Sequence, residues 1–484
     1  MSDQHSRDVP NSGCWFIPQS VKRVWKRYSP DQQFRENISY TICVYLAFFI
    51  IGWRKGQFGP SYIDLRMITD TDLEQGSWII TTIFIGYTSG SFVHGFLYTR
   101  VNRKLMLSTA LFMMSAAIAI VPWCVMIEVM LPTYFVVGLV QGVIDTGGNA
   151  EVVSVWKQEG RLGVLGLNFV FAFGSVLAPL VITSFLVEIE DESLKNTTVL
   201  SPVQRLPKQP NNTYINETCV TNTTSLNLHV TKPESNIYIP FSILAGLSVL
   251  VASLFVYSYV KYDRGSITGE AAQSPRPLPK SSKAVMLSII GTMFLIHNAV
   301  DDTFAGLLSS YCVEYFHWTK KDGGFISTIF FLFVLGARFI STTLEKYMNT
   351  LICIGINLTL MLISVLGLLL VSLYTLETGV WVFVSLFGYS TSCVFALMLS
   401  WTNEYITMVT GRISSFLFVS AMIGSALNPL LLSFLMKRFG LIWFCYLFLI
   451  ELIIQFIVFV VGLMGTKYIV KNFGKTFDTS HNKH

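Results

Sequence analysis

Charge is scarce in this sequence. Only 13% of its 484 residues are Asp, Glu, Lys or Arg, while 52% are apolar, which excludes a water-soluble globular fold, whose composition runs to about a quarter charged residues. Strand-length segments of alternating polarity, the mark of a membrane barrel, are missing as well. The eight cysteines stand singly, and no C-x-x-C spacing suggests zinc or a redox centre. G-x-S-x-G, H-E-x-x-H, Walker A and dinucleotide-binding runs do not occur, so no catalytic residue, metal site or cofactor is assigned, and a nucleotide-driven pump is disfavoured. The net charge of +5 is scattered in short clusters, which argues against a nucleic-acid partner. A secretory leader is not expected, because Lys22, Arg23, Lys26 and Arg27 precede any apolar segment. The first apolar segment is expected to act as its own insertion signal.

What the chain has in quantity is apolar runs of about 20 residues, the length an α-helix needs to cross a bilayer. Twelve are expected, at 37–58, 77–98, 105–124, 131–155, 163–187, 237–260, 284–311, 323–343, 350–373, 380–402, 413–436 and 441–465. The fold class is therefore an all-α membrane protein with lipid as its solvent. Residues 1–36 read as a polar arm, 37–260 as a first six-helix half with a long loop at 188–236, 261–283 as a basic, Pro- and Ser-containing linker, 284–465 as a second half, and 466–484 as a tail.

Two motif matches support the six-plus-six division. Gly174 to Leu180 in span five (GSVLAPL) matches Gly424 to Leu430 in span eleven (GSALNPL), and Thr82-Ile-Phe84 with Gly90 in span two matches Thr328-Ile-Phe330 with Gly336 in span eight. The near-equal offsets, in the same order, predict two parallel repeats. Lys and Arg lie on the side of the termini in roughly twofold excess, so both termini are expected to be cytoplasmic. The 188–236 loop then lies outside, where its four N-x-[ST] sequons at Asn196, Asn211, Asn216 and Asn222 are expected glycosylation sites.

Asp145 sits mid-way along span four, where a carboxylate costs roughly 2.5–3.5 kcal/mol on insertion scales and calls for a polar cavity, a partner or a proton. Gln141 and Asn149 lie four residues either side of it, on one helical stripe. The competing reading is a structural Asp bonded to a neighbouring helix. Span seven holds His297, Asn298, Asp301 and Asp302. Asp301 lies one turn from His297, which suits a proton or cation site. Adjacent carboxylates are not expected to share a helix face, so at most one of the two should point at a central path. Alternatively, a helical break puts this stretch in a wet vestibule. Asn168, Asn428, Ser390, Thr391 and Ser392 offer uncharged groups suited to a hydroxyl-rich ligand, or to ordinary helix-to-helix bonding.

Between spans two and three, Gly95, Arg100, Arg103 and Lys104 resemble the G-x-x-x-D-R-x-G-R-R loop of the major facilitator superfamily, with Thr99 in the acidic position and Asn102 in the second glycine's. In the second half the counterpart is Gly336 and Arg338 ahead of Glu345 and Lys346. The run Asp145-Thr146-Gly147-Gly148-Asn149 is similar to that of the fucose:proton symporters and of the sodium-dependent glucose transporter group. Gly59-Pro60, Asp64-Leu65, Asn168 and Phe173-Gly174 also fit.

The resemblance implies a major facilitator fold working by alternating access. Gly95, Arg100 and Arg103 would act as a cytoplasmic latch, and Asp145 and Asp301 as cation-coupling residues. Gln141, Asn149, Asn168 and Asn428 would lie at the solute site. Span one departs: where the fucose symporters have an Asn-Asp pair, this chain has Arg54, Lys55 and Gln57. The expected function is secondary active transport, without enzyme activity, of a small neutral hydroxylated solute, a hexose such as glucose, with co-transported Na⁺ or H⁺. A monomer in the plasma membrane is expected. The alternatives are an uncoupled facilitator and a transporter-like sensor or scaffold.

Overall fold

The computed structural model describes residues 32–98, 100–156, 160–186, 235–262, 279–344 and 348–474. The four sequons, Thr99, Glu345 and Lys346 lie outside them. Twelve helices follow in chain order: α1 (Gln32–Thr69), α2 (Leu73–Leu97), α3 (Arg103–Ile120), α4 (Ile127–Trp156), α5 (Gly160–Thr183), α6 (Tyr238–Tyr262), α7 (Lys280–Phe316), α8 (Lys320–Leu344), α9 (Thr350–Leu373), α10 in two pieces (Glu377–Thr391 and Val394–Trp401), α11 (Gly411–Phe439) and α12 (Trp443–Phe473). No strand occurs among the described residues. Eleven of these helical segments are long and apolar enough to span a bilayer; α2, rich in Gly, Ser and Thr, is the exception. Its glycines and serines lie largely in contact with neighbouring helices, Gly86 and Gly90 against the α4 backbone among them.

Twelve traverses bring residues 32 and 473 to one face, the terminal face, opposite the far face. Within the halves, α1 packs on α5 and α7 on α11, while α2 meets α11 and α5 meets α8 across the halves. The sequence repeat has a physical counterpart at these contacts. A Cβ at Gly174 would lie 2.4 Å from the Phe49 carbonyl oxygen on α1, and one at Gly424 would lie 2.0 Å from that of Leu295 on α7. Only glycine permits such an approach. The following serines occupy matching places: Ser175 donates to the Gly52 carbonyl at 2.9 Å, and the Ser425 hydroxyl lies 3.3 Å from the Asn298 carbonyl. The GSxLxP motif thus marks the same helix-on-helix contact in each half.

α7 runs without interruption through His297 to Asp302, so the expected alternative of a break there does not hold. The break falls instead in α10, around Ser392 and Cys393, followed by a π-helical turn at Thr402–Ile406.

Candidate functional site

The halves enclose a cavity of about 2300 Å³ lined from both sides. It reaches from Arg54 and Ile80 at mid-depth to Tyr98, Arg103, Asn403 and Thr410 at the helix ends of the terminal face. At the far face the halves are locked together. Arg66 of α1 pairs with Glu314 of α7 at 2.6 Å, and Lys320 of α8 with Asp64 of α1 at 2.5 Å. Lys437 of α11 bridges Asp72 and Glu74 at 2.7 and 2.9 Å. Lys320 and Asp64 are almost wholly buried, at 7% and 1% exposed. Ser235 donates to the second Asp64 oxygen at 2.7 Å. The molecule is therefore closed at the far face and hollow toward the terminal face.

Asp145 and Asp301 line the same cavity. The Asp145 carboxylate accepts a hydrogen bond from the Tyr87 hydroxyl of α2 and one from the Asn149 amide at 3.1 Å; Asn149 also donates to the Asp145 carbonyl at 2.9 Å. Every partner is a neutral group of the first half. Gln141 completes the stripe, its amide oxygen buried without a partner.

Asp301 and Asp302 depart from expectation, because both reach the cavity. Lys55 of α1 extends its ammonium between them, 3.2 Å from Asp301 and 2.9 Å from Asp302. The remaining oxygens accept from hydroxyls, Thr391 to Asp301 at 3.0 Å and Ser425 to Asp302 at 2.6 Å. Adjacent residues on a helix do point about 100° apart, but a long lysine arriving in the cleft between them draws both carboxylates inward. His297, one turn earlier, lines the cavity with its Nδ1 unpartnered.

Asn168 borders the cavity; its amide donates to the Val164 carbonyl at 3.0 Å, and its own carbonyl accepts from Arg338 at 2.5 Å. Arg338, read from sequence as part of a loop latch, is a cavity residue, with its guanidinium 5.7 Å from the Phe171 ring centre. Asn428 lies away from the cavity and donates to the Ala299 carbonyl at 2.9 Å and to Glu451 at 3.3 Å. Of the latch residues, Arg100 sits over the Phe96 ring at 3.9 Å and Arg103 pairs with Glu151 at 3.3 Å. Gly95 has open space where a Cβ would be. These partners all belong to the first half.

Comparison with known proteins agrees with this architecture. The family model of the Major Facilitator Superfamily matches residues 40–190. The chain is thus similar to this superfamily over the first of its halves. The relatives and structural neighbours it matches include named transporters. The mouse sodium-dependent glucose transporter 1A is 22% identical over 398 residues, covering 82% of this chain and 89% of that protein. The mouse major facilitator superfamily domain-containing protein 4A is 24% identical over 459 residues, covering 84% and 88%. Among solved structures, the E. coli fucose:proton symporter aligns with a TM-score of 0.56 at 15% identity, covering 90% of this chain and 99% of that one. A bacterial homologue of the human lysosomal transporter Spinster, inward-facing and unoccupied, aligns at 0.59 and 10% identity, covering 92% and 98%. These likenesses establish the superfamily fold.

Sequence reasoning missed the roles of Lys55, Tyr87 and Arg338. Lys55 carried a signal, since a lysine 23 residues into the 38-residue α1 lies deep in the membrane and needs a counter-charge as much as Asp145 does.

Proposed function

We propose that this protein is a secondary carrier for a small hydroxylated solute of hexose size, moved by alternating access and coupled to Na⁺ or H⁺ at Asp145. The observation that carries the reading is Asp145 itself: a carboxylate held only by neutral donors, Tyr87 and Asn149, in the wall of a cavity between two halves. Such a group exchanges a monovalent cation without any cation of the protein having to leave. Gln141 and His297 present unpartnered polar atoms to a solute beside it. The names of the relatives, sodium-dependent glucose transporters, support the solute class and the coupling. Asp301 is assigned a different task, because Lys55 already neutralises it.

The positive-inside bias supports cytoplasmic termini, which would make this conformation inward-open; a monomer in the plasma membrane belongs to the same proposal. The test is uptake of labelled glucose and related hexoses into proteoliposomes under imposed Na⁺ or pH gradients. Gradient-driven accumulation supports the reading, and its loss in Asp145→Asn assigns coupling to that residue. Saturable but gradient-independent uptake would instead establish an uncoupled facilitator. Absence of flux of any hexose-sized solute would leave the sensor or scaffold role.

A further inference from the structure

Among the described residues, two guanidinium groups of the cavity, those of Arg54 and Arg338, form no ion pair with a carboxylate. Arg54 lines it with its Nε buried and unpartnered, and Arg338 lines it with only a backbone carbonyl as hydrogen-bond acceptor. The neighbouring carboxylates are already committed. Both oxygens of Asp302 are taken by Lys55 and Ser425, both of Asp301 by Lys55 and Thr391, and both of Asp145 by Tyr87 and Asn149. Arg103, at the terminal mouth, has its own partner in Glu151. A cation at membrane depth is expensive, and one balanced only from a distance, with no carboxylate in direct contact, keeps its hydrogen-bond donors for a ligand. The guanidinium is also the group best shaped to grip a carboxylate through two parallel bonds.

The charge balance narrows the ligand further. At membrane depth the cavity wall carries Arg54, Lys55 and Arg338 against Asp145, Asp301 and Asp302, which sums to zero with His297 neutral. Binding one monovalent cation at Asp145 leaves one positive charge in a low-dielectric space. A solute bearing a single negative charge restores neutrality, a neutral sugar leaves the excess, and a phosphate dianion overshoots.

We propose that the transported solute is a hydroxylated monocarboxylate, a sugar acid of the hexuronate kind, whose carboxylate is received at Arg54 with Arg338 supplying the second positive charge of the wall. This rests on the carrier reading and sharpens its solute from a sugar to a sugar acid. Span one fits the same assignment, since it carries basic residues where the fucose symporters carry an Asn-Asp pair.

The test compares labelled glucuronate, glucose and glucose 6-phosphate in proteoliposomes of the full chain, with the membrane potential clamped at several values. Glucuronate is expected to be taken up saturably and cation-dependently at a rate independent of potential, with glucose and glucose 6-phosphate well behind. Arg54→Gln should weaken glucuronate uptake roughly tenfold to a hundredfold, the worth of one charged bidentate contact, and Arg54→Lys should recover part of it. Thermal stabilisation of the detergent-solubilised wild type by glucuronate and not by glucose is a second readout that needs no variant. Glucose transport without glucuronate transport overturns this proposal and leaves the carrier reading standing. Equal transport of glucose 6-phosphate overturns the single-charge assignment. If none of the three crosses or stabilises the protein, the carrier reading of a hexose-class solute falls and this proposal with it.

Discussion

Two carboxylate sites share one cavity and are built on opposite plans. Asp145 is held within the first half by a phenol and an amide, whereas Asp301 and Asp302 are held by a lysine that crosses from the other half. The first site changes its charge without disturbing how the halves sit. The second cannot release Lys55 without loosening one half from the other. On the proposed reading of a cation-coupled carrier, the first group would trade a cation with the medium and the second would tie that trade to the motion of the halves.

The comparison breaks most sharply at Asp145. Replacing it with Asn keeps the hydrogen bonds approximately and removes the ionisable group, so gradient-driven accumulation should vanish while solute exchange at equal concentrations persists. Counterflow assays beside gradient-driven uptake separate the two. If accumulation survives, the two sites do not divide the work in this way. A second effect is expected at Lys55. Lys55→Gln leaves two carboxylates facing each other in a partly wet cavity, and thermal unfolding should register a loss of about 2 kcal/mol, reduced from the fully buried case by residual hydration. Lys55→Gln combined with Asp302→Asn should restore most of that stability. Additive losses would mean that the ammonium and the carboxylates are not coupled.

The far-face lock offers a third contrast, between a buried pair and an exposed one. Asp64→Asn leaves Lys320 buried and uncompensated, a penalty of roughly 3–5 kcal/mol for a well-buried pair. The penalty falls only on the far-face-closed state, so the population should swing toward opening at that face. Spin-label distances across the far face should lengthen, and unchanged distances would show that the pair does not hold the gate.

These features were unequally legible in the sequence. The helices and the stripe of Gln141, Asp145 and Asn149 follow from spacing along one helix, which a sequence displays directly. The GSxLxP repeat was visible as a pattern, but its cause, a glycine and a serine pressed against a neighbouring backbone, requires the packing. Lys55 and Asp301 are 246 residues apart, and no local period reports a pairing across such a distance. The same blindness produced the errors: Asn428 has the chemistry of a solute contact but spends it on Ala299 and Glu451, and Arg338 has the sequence setting of a loop latch yet faces the cavity. Residue type and depth therefore predicted which groups need partners, and only the packing of the halves decides which partners they find.

The smallest expected effect concerns Asp72, on the exposed side of the lock. Its carboxylate caps α2 by accepting from the Gln75 amide at 2.8 Å and also pairs with Lys437. The backbone bond first, and Lys437 second, hold the carboxyl below the ordinary aspartate range. Because the folded value is the lower one, the stabilisation is present above the unfolded pKa and is lost as pH falls through the folded one. Asp72→Ala removes cap and ion pair together and should cost about 1 kcal/mol, the usual worth of an N-cap. Asp72→Asn keeps the capping oxygen and loses only an exposed ion pair, so it should lie near wild type. It should also lose the part of the acid sensitivity that comes from titrating this group. Unfolding midpoints of the two variants between neutral and acid pH measure the difference. If Asp72→Asn were as damaging as Asp72→Ala, the exposed pair with Lys437 would matter more than the cap, and the far face would be held by its rim as well as by the buried Asp64–Lys320 contact.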